Sequence, residues 1–163
     1  MSTFASLKQT KAPASVFLVR FVVGSVFFTE GIQKFLYPAD LGAGRFDKIG
    51  IPSPQIMGPF VGVVEIVCGG LLILGLLTRL ASLLLTIDIL VAIISTKIPI
   101  LLGHGLWHFA SPKVARAGFF GMMHEARTDF SMLFCLVFLL IVGAGAWSLD
   151  AKGGTKETPK PKQ

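Results

Sequence analysis

The chain predicts an all-α integral membrane protein built as a four-helix bundle, and three observations carry that reading. Of its 163 residues, 53% are hydrophobic and only 15% charged, where soluble domains carry about a quarter. Mean hydropathy is +0.74. Four apolar stretches follow one another, each near the ~20 residues that cross a ~30 Å hydrocarbon core. None alternates polar and apolar positions, which disfavours a membrane β-barrel and leaves helices to satisfy the backbone in lipid.

The first span is predicted at residues 14–36. A basic segment with Lys8 and Lys11 precedes it, as in a signal peptide. The apolar run is too long for one and lacks a small-residue cleavage site, so it reads as a retained helix behind a cytoplasmic segment, residues 1–13. "YPADLGAGRFDKIGIPSPQ", residues 37–55, is rich in Pro and Gly and reads as a loop. The second and third spans, 56–77 and 80–102, are separated only by "GLLTRL", which requires an antiparallel hairpin. Residues 103–127 form a long mixed connection whose aromatics suit a membrane interface. The fourth span is predicted at 129–148, closing a membrane domain over 14–150. "KGGTKETPKPKQ" offers nothing apolar to bury, so residues 151–163 are expected to be a disordered basic tail.

Four spans place both ends on one side, with Lys8, Lys11, Arg79, Lys152, Lys156, Lys160 and Lys162. The other side receives Arg45, Lys48, Lys113, Arg116 and Arg127, with Lys97 near its boundary. The bias puts both termini in the cytoplasm of a bacterial inner membrane. Formal net charge is +6, but no folded basic face or reading motif points to nucleic acid. Cys68 and Cys135 lie far apart in separate apolar runs. That excludes a disulfide framework and favours two inert buried thiols over a single bridge.

Ionisable residues inside the spans should face one another, because an isolated charge at mid-bilayer costs about 2.5–3.5 kcal/mol. At ~1.5 Å rise per residue, Glu30 lies about 9 Å and Glu65 about 13 Å below the outer boundary, with Lys34 near the surface. Asp88 and Arg20 fall at about 20 and 24 Å. An outer cluster of Glu30, Gln33, Lys34, Glu65, Arg127 and Asp129 therefore separates from an inner pair, Arg20 with Asp88. The inner pair reads as structural, although Arg20 could instead snorkel to the headgroups. In the outer cluster Glu30 and Lys34 share a helix face at i,i+4. Two carboxyls beside a cation can share a proton or hold a polar ligand, and a closed salt-bridge network explains the same residues. Asp129 is expected to cap the fourth helix.

His104 and His108 are four apart and His124 precedes Glu125, a loose set that could hold Zn or Cu. Interfacial histidines without a metal are commoner. Haem between two helices is disfavoured, because no histidine lies within a span. Nucleophile triads, phosphate-binding glycine loops and paired CxxC motifs are missing. The glycines of "GG" at 69–70 and Gly75 read as close-packing positions in a membrane helix.

"RFVVGSVFFTEGIQKFLYP", "GIPSP", "VEIVCGGLLILGLLTRLASLLL" and "RTDFSMLFCLVFLLIVGAGAWSLDA" together resemble the DoxX family of small four-helix membrane proteins. The most specific pieces are Gly31 with Lys34, Glu65 with the glycines after it, and Arg127-Thr128-Asp129. The resemblance implies an inner-membrane subunit of a quinone- or thiol-linked redox complex, without its own redox cofactor, that anchors soluble partners. Quinone is the cofactor it suggests. A non-enzymatic carrier, chaperone or assembly factor for a solute or metal is the other reading. The bilayer is the first partner in either case, with protein partners or further copies of the chain beside it.

Overall fold

The computed structural model describes residues 12–153. The segments expected to be cytoplasmic and disordered fall almost wholly outside that range, with Lys8, Lys11, Lys156, Lys160 and Lys162. Six helices, and no strand, form among the described residues: α1 (Val16–Leu36), α2 (Ala43–Ile49), α3 (Pro54–Leu74), α4 (Thr78–Leu102), α5 (Phe119–Val142) and α6 (Leu149–Gly153). Four are long and two are short. The chain is an all-α membrane protein, and α1, α3 and α4 are long and apolar enough to cross a bilayer.

Two antiparallel pairs make the bundle: α1 lies along α3, and α4 along α5. The first pair is unusually close. A methyl group built on Gly24 would stand 2.7 Å from the Gly69 carbonyl oxygen, and one on Gly31 would stand 2.7 Å from that of Gly62. The glycines recur seven residues apart on both helices, two turns, so one face of each helix presents bare backbone to the other. Gly70 differs, since a methyl group there meets only the Phe28 ring at 3.9 Å. The second pair packs through larger side chains, with Leu85 and Ile89 of α4 and Met132, Leu136 and Leu139 of α5 in one buried core. Outward positions such as Phe60, Val63, Val67 and Ile141 stay exposed. In this protein that apolar exterior faces lipid.

Three expectations need correction. The 37–55 connection contains α2, which buries Ala43 and Phe46 against the start of α3. Gly75 is outside α3: it ends that helix at φ +67, with its α-carbon against the Arg20 guanidinium and the Ser148 side chain, where a β-carbon would be both strained and blocked. The fourth long helix starts at Phe119 and ends at Val142, ten residues before and six before the expected bounds. Its early start comes from packing. Met122 and Ala126 sit one turn apart and bury against Ile100 of α4, which carries the helix through a polar stretch.

Ala12 lies beside the segment leading into α6, with the Ala146 N–H donating to the Ala12 carbonyl at 3.1 Å. The carboxylate of Asp150 accepts from the N–H groups of Leu77 and Thr78 at 2.9 and 3.0 Å, capping α4. The first and last described residues therefore share one end of the bundle with the α3–α4 turn.

Gly69→Ala should lower stability by about 1–3 kcal/mol, since the carbonyl it meets cannot move without parting two helices. Gly70→Ala should leave it nearly unchanged. Thermal unfolding in detergent, followed by tryptophan fluorescence, separates the two.

Candidate functional site

Beside the α1–α3 seam the long helices part around a chamber of about 420 Å³, within the usual range for small-molecule sites. α1 contributes Glu30 and Lys34, α3 Glu65, α4 Asp88, and α5 Glu125 and Asp129. Much of the remaining wall is apolar, including Val26, Phe27, Met57, Val61, Ile89 and Met132.

The Lys34 ammonium lies 2.5 Å from a Glu65 carboxylate oxygen, and both side chains are nearly enclosed, at 11% and 7% exposure. Helix geometry explains the meeting. Lys34 and Glu65 each lie three residues beyond a seam glycine, Gly31 and Gly62. Side chains lean toward the N-terminus of their own helix, so in an antiparallel pair these two lean toward each other. The Asp88 carboxyl stands against Glu65 and within the field of Lys34. Lys34 thus contacts one carboxyl, Glu65, while a second, Asp88, lines the same chamber.

A second ion pair closes the chamber's other side. Lys97 is 3.3 Å from Asp129, again largely enclosed. Lys97 reaches it because α4 changes pitch: residues Ile93–Lys97 form a π-turn in which the Ile98 N–H bonds back to the Ile93 carbonyl. The extra residue in that turn rotates the remainder of α4 by about 100°, and Ser95, Thr96 and Lys97 all line the chamber. The Thr96 hydroxyl donates to the Ala92 carbonyl at 2.6 Å, as does that of Ser95 at 3.3 Å. Five carboxyls and three cations line the chamber in all, so it keeps an acid excess after Lys34 and Lys97 are paired.

The sequence-predicted cluster is thus partly assembled and partly not. Glu30, Lys34, Glu65 and Asp129 border one chamber. Gln33 does not, and Arg127 is exposed with its guanidinium donating to the His124 carbonyl. Asp129 lies in the middle of α5, as an ion-pair partner and not a cap; Gly118 occupies the N-cap. Arg20 and Asp88 are not paired. Arg20, fully buried, donates to the Leu72 and Ile73 carbonyls at 3.1 and 3.4 Å and to that of Trp147. Its charge therefore rests on the carbonyls at the C-terminal end of α3, where a cation is favoured, with Asp150 as the opposing acid. His104, His108 and His124 are all exposed. Among the described residues no three His, Cys, Asp or Glu side chains gather as a metal site. Cys68 and Cys135 are both free thiols.

Asp88, Ser95, Thr96, Lys97, Arg45 and Glu125 also border the chamber, and sequence reasoning does not group them with it. Lys97 and Asp88 carry a signal, as charges within a span, but the π-turn that aims Lys97 has no mark in hydrophobic spacing.

A small four-helix membrane bundle with charged residues turned into its interior is the class these observations define. Comparison with known proteins gives the family: the DoxX model matches residues 15–98, and the chain belongs to the DoxX family. That match covers α1 to the π-turn of α4 and excludes Arg127 to Asp129. An uncharacterized membrane protein of Mycobacterium tuberculosis is 49% identical, over 93% of this chain and 89% of its own length. An uncharacterized protein of Haemophilus influenzae is 32% identical over 86% and 91%. A Bacillus subtilis protein named "Putative oxidoreductase CatD" is 27% identical over 82% of both chains. No solved structure matches the chain significantly.

Lys34→Met alone strands the Glu65 carboxylate and should cost about 3–5 kcal/mol of stability, most of it regained in the Lys34→Met/Glu65→Leu double variant. Unfolding midpoints of the wild type, both single variants and the double variant give the coupling. A coupling near zero would contradict the pairing.

Proposed function

We infer that this chain is a subunit of an inner-membrane redox complex, and that its chamber binds the head group of a quinone or a similarly amphipathic redox molecule. The observation that carries the reading is the placement of Lys34, Glu65 and Asp88 together in an otherwise largely apolar chamber. A quinone ring matches such walls, and its two oxygens need a hydrogen-bond donor and a proton source. Lys34 is the donor, able to stabilise negative charge as it develops on an oxygen. Glu65 and Asp88 hold and pass the protons that accompany electron transfer, two for every two electrons. Glu30, exposed and on the chamber wall, is the point of exchange with solvent. The electrons come from a partner protein that the chain anchors. The Bacillus subtilis relative's name, "Putative oxidoreductase CatD", is consistent with this chemistry.

The cation bias along the sequence supports an orientation with both ends in the cytoplasm. The chamber, at the opposite end from the α3–α4 turn, then lies in the outer half of the membrane.

Purification in mild detergent, native mass spectrometry and quinone extraction test the reading together. The wild type should retain quinone near one per chain, and Glu65→Gln should bind it about tenfold more weakly, the equivalent of one strong hydrogen bond. An empty, well-folded chain that co-purifies only with other subunits would move the assignment to a non-enzymatic accessory role.

A further inference from the structure

A second hollow, of about 690 Å³, adjoins the chamber and shares Arg45, Ile49, Thr96, Lys97 and Glu125 with it. Its chemistry is the reverse of the chamber's. Four cations line it, Arg45 and Lys48 from α2, Lys97 from the π-turn and Lys113 from the connection between α4 and α5, against the single carboxylate of Glu125. Lys97 is committed to Asp129 at 3.3 Å. Lys48 donates to the Ala39 carbonyl at 3.5 Å and has a loose contact, 3.9 Å, with Asp40, all at the exposed rim, a pairing worth little. Among the described residues no carboxylate lies within ion-pair distance of Arg45 or Lys113. The floor between the cations is apolar, with Ile49, Ile100, Pro112 and Val114. Trp107, at a tight turn with φ +52, and Phe120 are more than four-fifths exposed on the same connection and its junction with α5, the placement of side chains that sit at headgroup depth.

With Lys97 paired, like charges from α2 and from the α4–α5 connection still converge on one concavity and oppose their own approach. An anion removes that opposition, and the apolar floor suits whatever carries the anion. We propose that this vestibule is a phosphate-type oxyanion site at the mouth of the chamber, held by Arg45 and Lys113, with Lys48 assisting from the rim. The oxyanion is either the phosphate of an anionic phospholipid or a soluble phosphate. The shared chemistry is a tetrahedral anion taken by a guanidinium and ammonium groups. The site is independent of what the chamber itself binds.

The test uses the full chain in nanodiscs of zwitterionic lipid, titrated with inorganic phosphate against chloride at matched ionic strength. A second set of discs contains phosphatidylglycerol. A rise in unfolding temperature that saturates with phosphate identifies a soluble oxyanion. A rise caused by phosphatidylglycerol, with that lipid retained in native mass spectra and no response to phosphate, identifies the lipid. In either arm Arg45→Gln/Lys113→Gln should weaken binding about tenfold or more, while Lys152→Gln, at the other end of the bundle, should not. The double variant changes only exposed residues, so an unchanged unfolding temperature without ligand shows that it still folds. No difference from chloride in the first arm and none between lipids in the second overturns the proposal. So does an equal loss in Lys152→Gln, which would show only unspecific attraction to a basic protein.

Discussion

Backbone contact between α1 and α3 is the constraint on which the rest depends. At Gly24 with Gly69, and at Gly31 with Gly62, each helix lies too close to the other to admit even a methyl group. In lipid no hydrophobic force drives helices together, so close packing of this kind is a main source of association. It also fixes register. With the glycines opposed, Lys34 and Glu65 stand on either side of one contact and lean together, giving an ion pair of 2.5 Å. A seam of ordinary side chains would hold the two backbones further apart and loosen the register that aligns the pair.

Charge in this bundle is handled differently at its two ends. At the end with the α3–α4 turn, the two terminal nitrogens of Arg20 donate to carbonyls at the close of α3 and to the Trp147 carbonyl, while Asp150 caps α4. Those contacts brace the bundle. Toward the other end the pairs Lys34–Glu65 and Lys97–Asp129 border open volume, and Asp88 and Glu30 remain beyond them. A brace would use matched charges with no space between them. The surplus of carboxyls around a cavity is what favours the proposed site over a purely structural network.

The spans are legible in the sequence because lipid imposes one rule on composition and length, and α1, α3 and α4 obey it within a few residues. The grouping of Lys34 with Glu65 is legible as well, since both fall in the outer half of the bundle and a lone charge there is too costly, although the depth count sets Lys34 near the surface and Glu65 well below it. Other features are hidden for physical reasons. The fourth long helix starts early because Met122 and Ala126 bury against Ile100, a tertiary contact that overrides the polar look of "HEARTD". Arg20 takes backbone carbonyls as partners, and any residue supplies those, so depth alone points wrongly to Asp88. Asp88 itself depends on how α4 lies against α3. The π-turn breaks the 3.6-residue spacing on which helical faces are counted, and that spacing therefore sets Lys97 only at a boundary.

Photoaffinity labelling with an azido-quinone, read by peptide mass spectrometry of the full chain in nanodiscs, tests the central claim most directly. The expected result is labelling of chamber residues from different helices, such as Phe27 of α1, Met57 of α3 and Met132 of α5, suppressed by excess unlabelled quinone. Labelling confined to lipid-facing positions such as Phe60, Val63 and Ile141, with no suppression, would contradict a ligand site in the chamber.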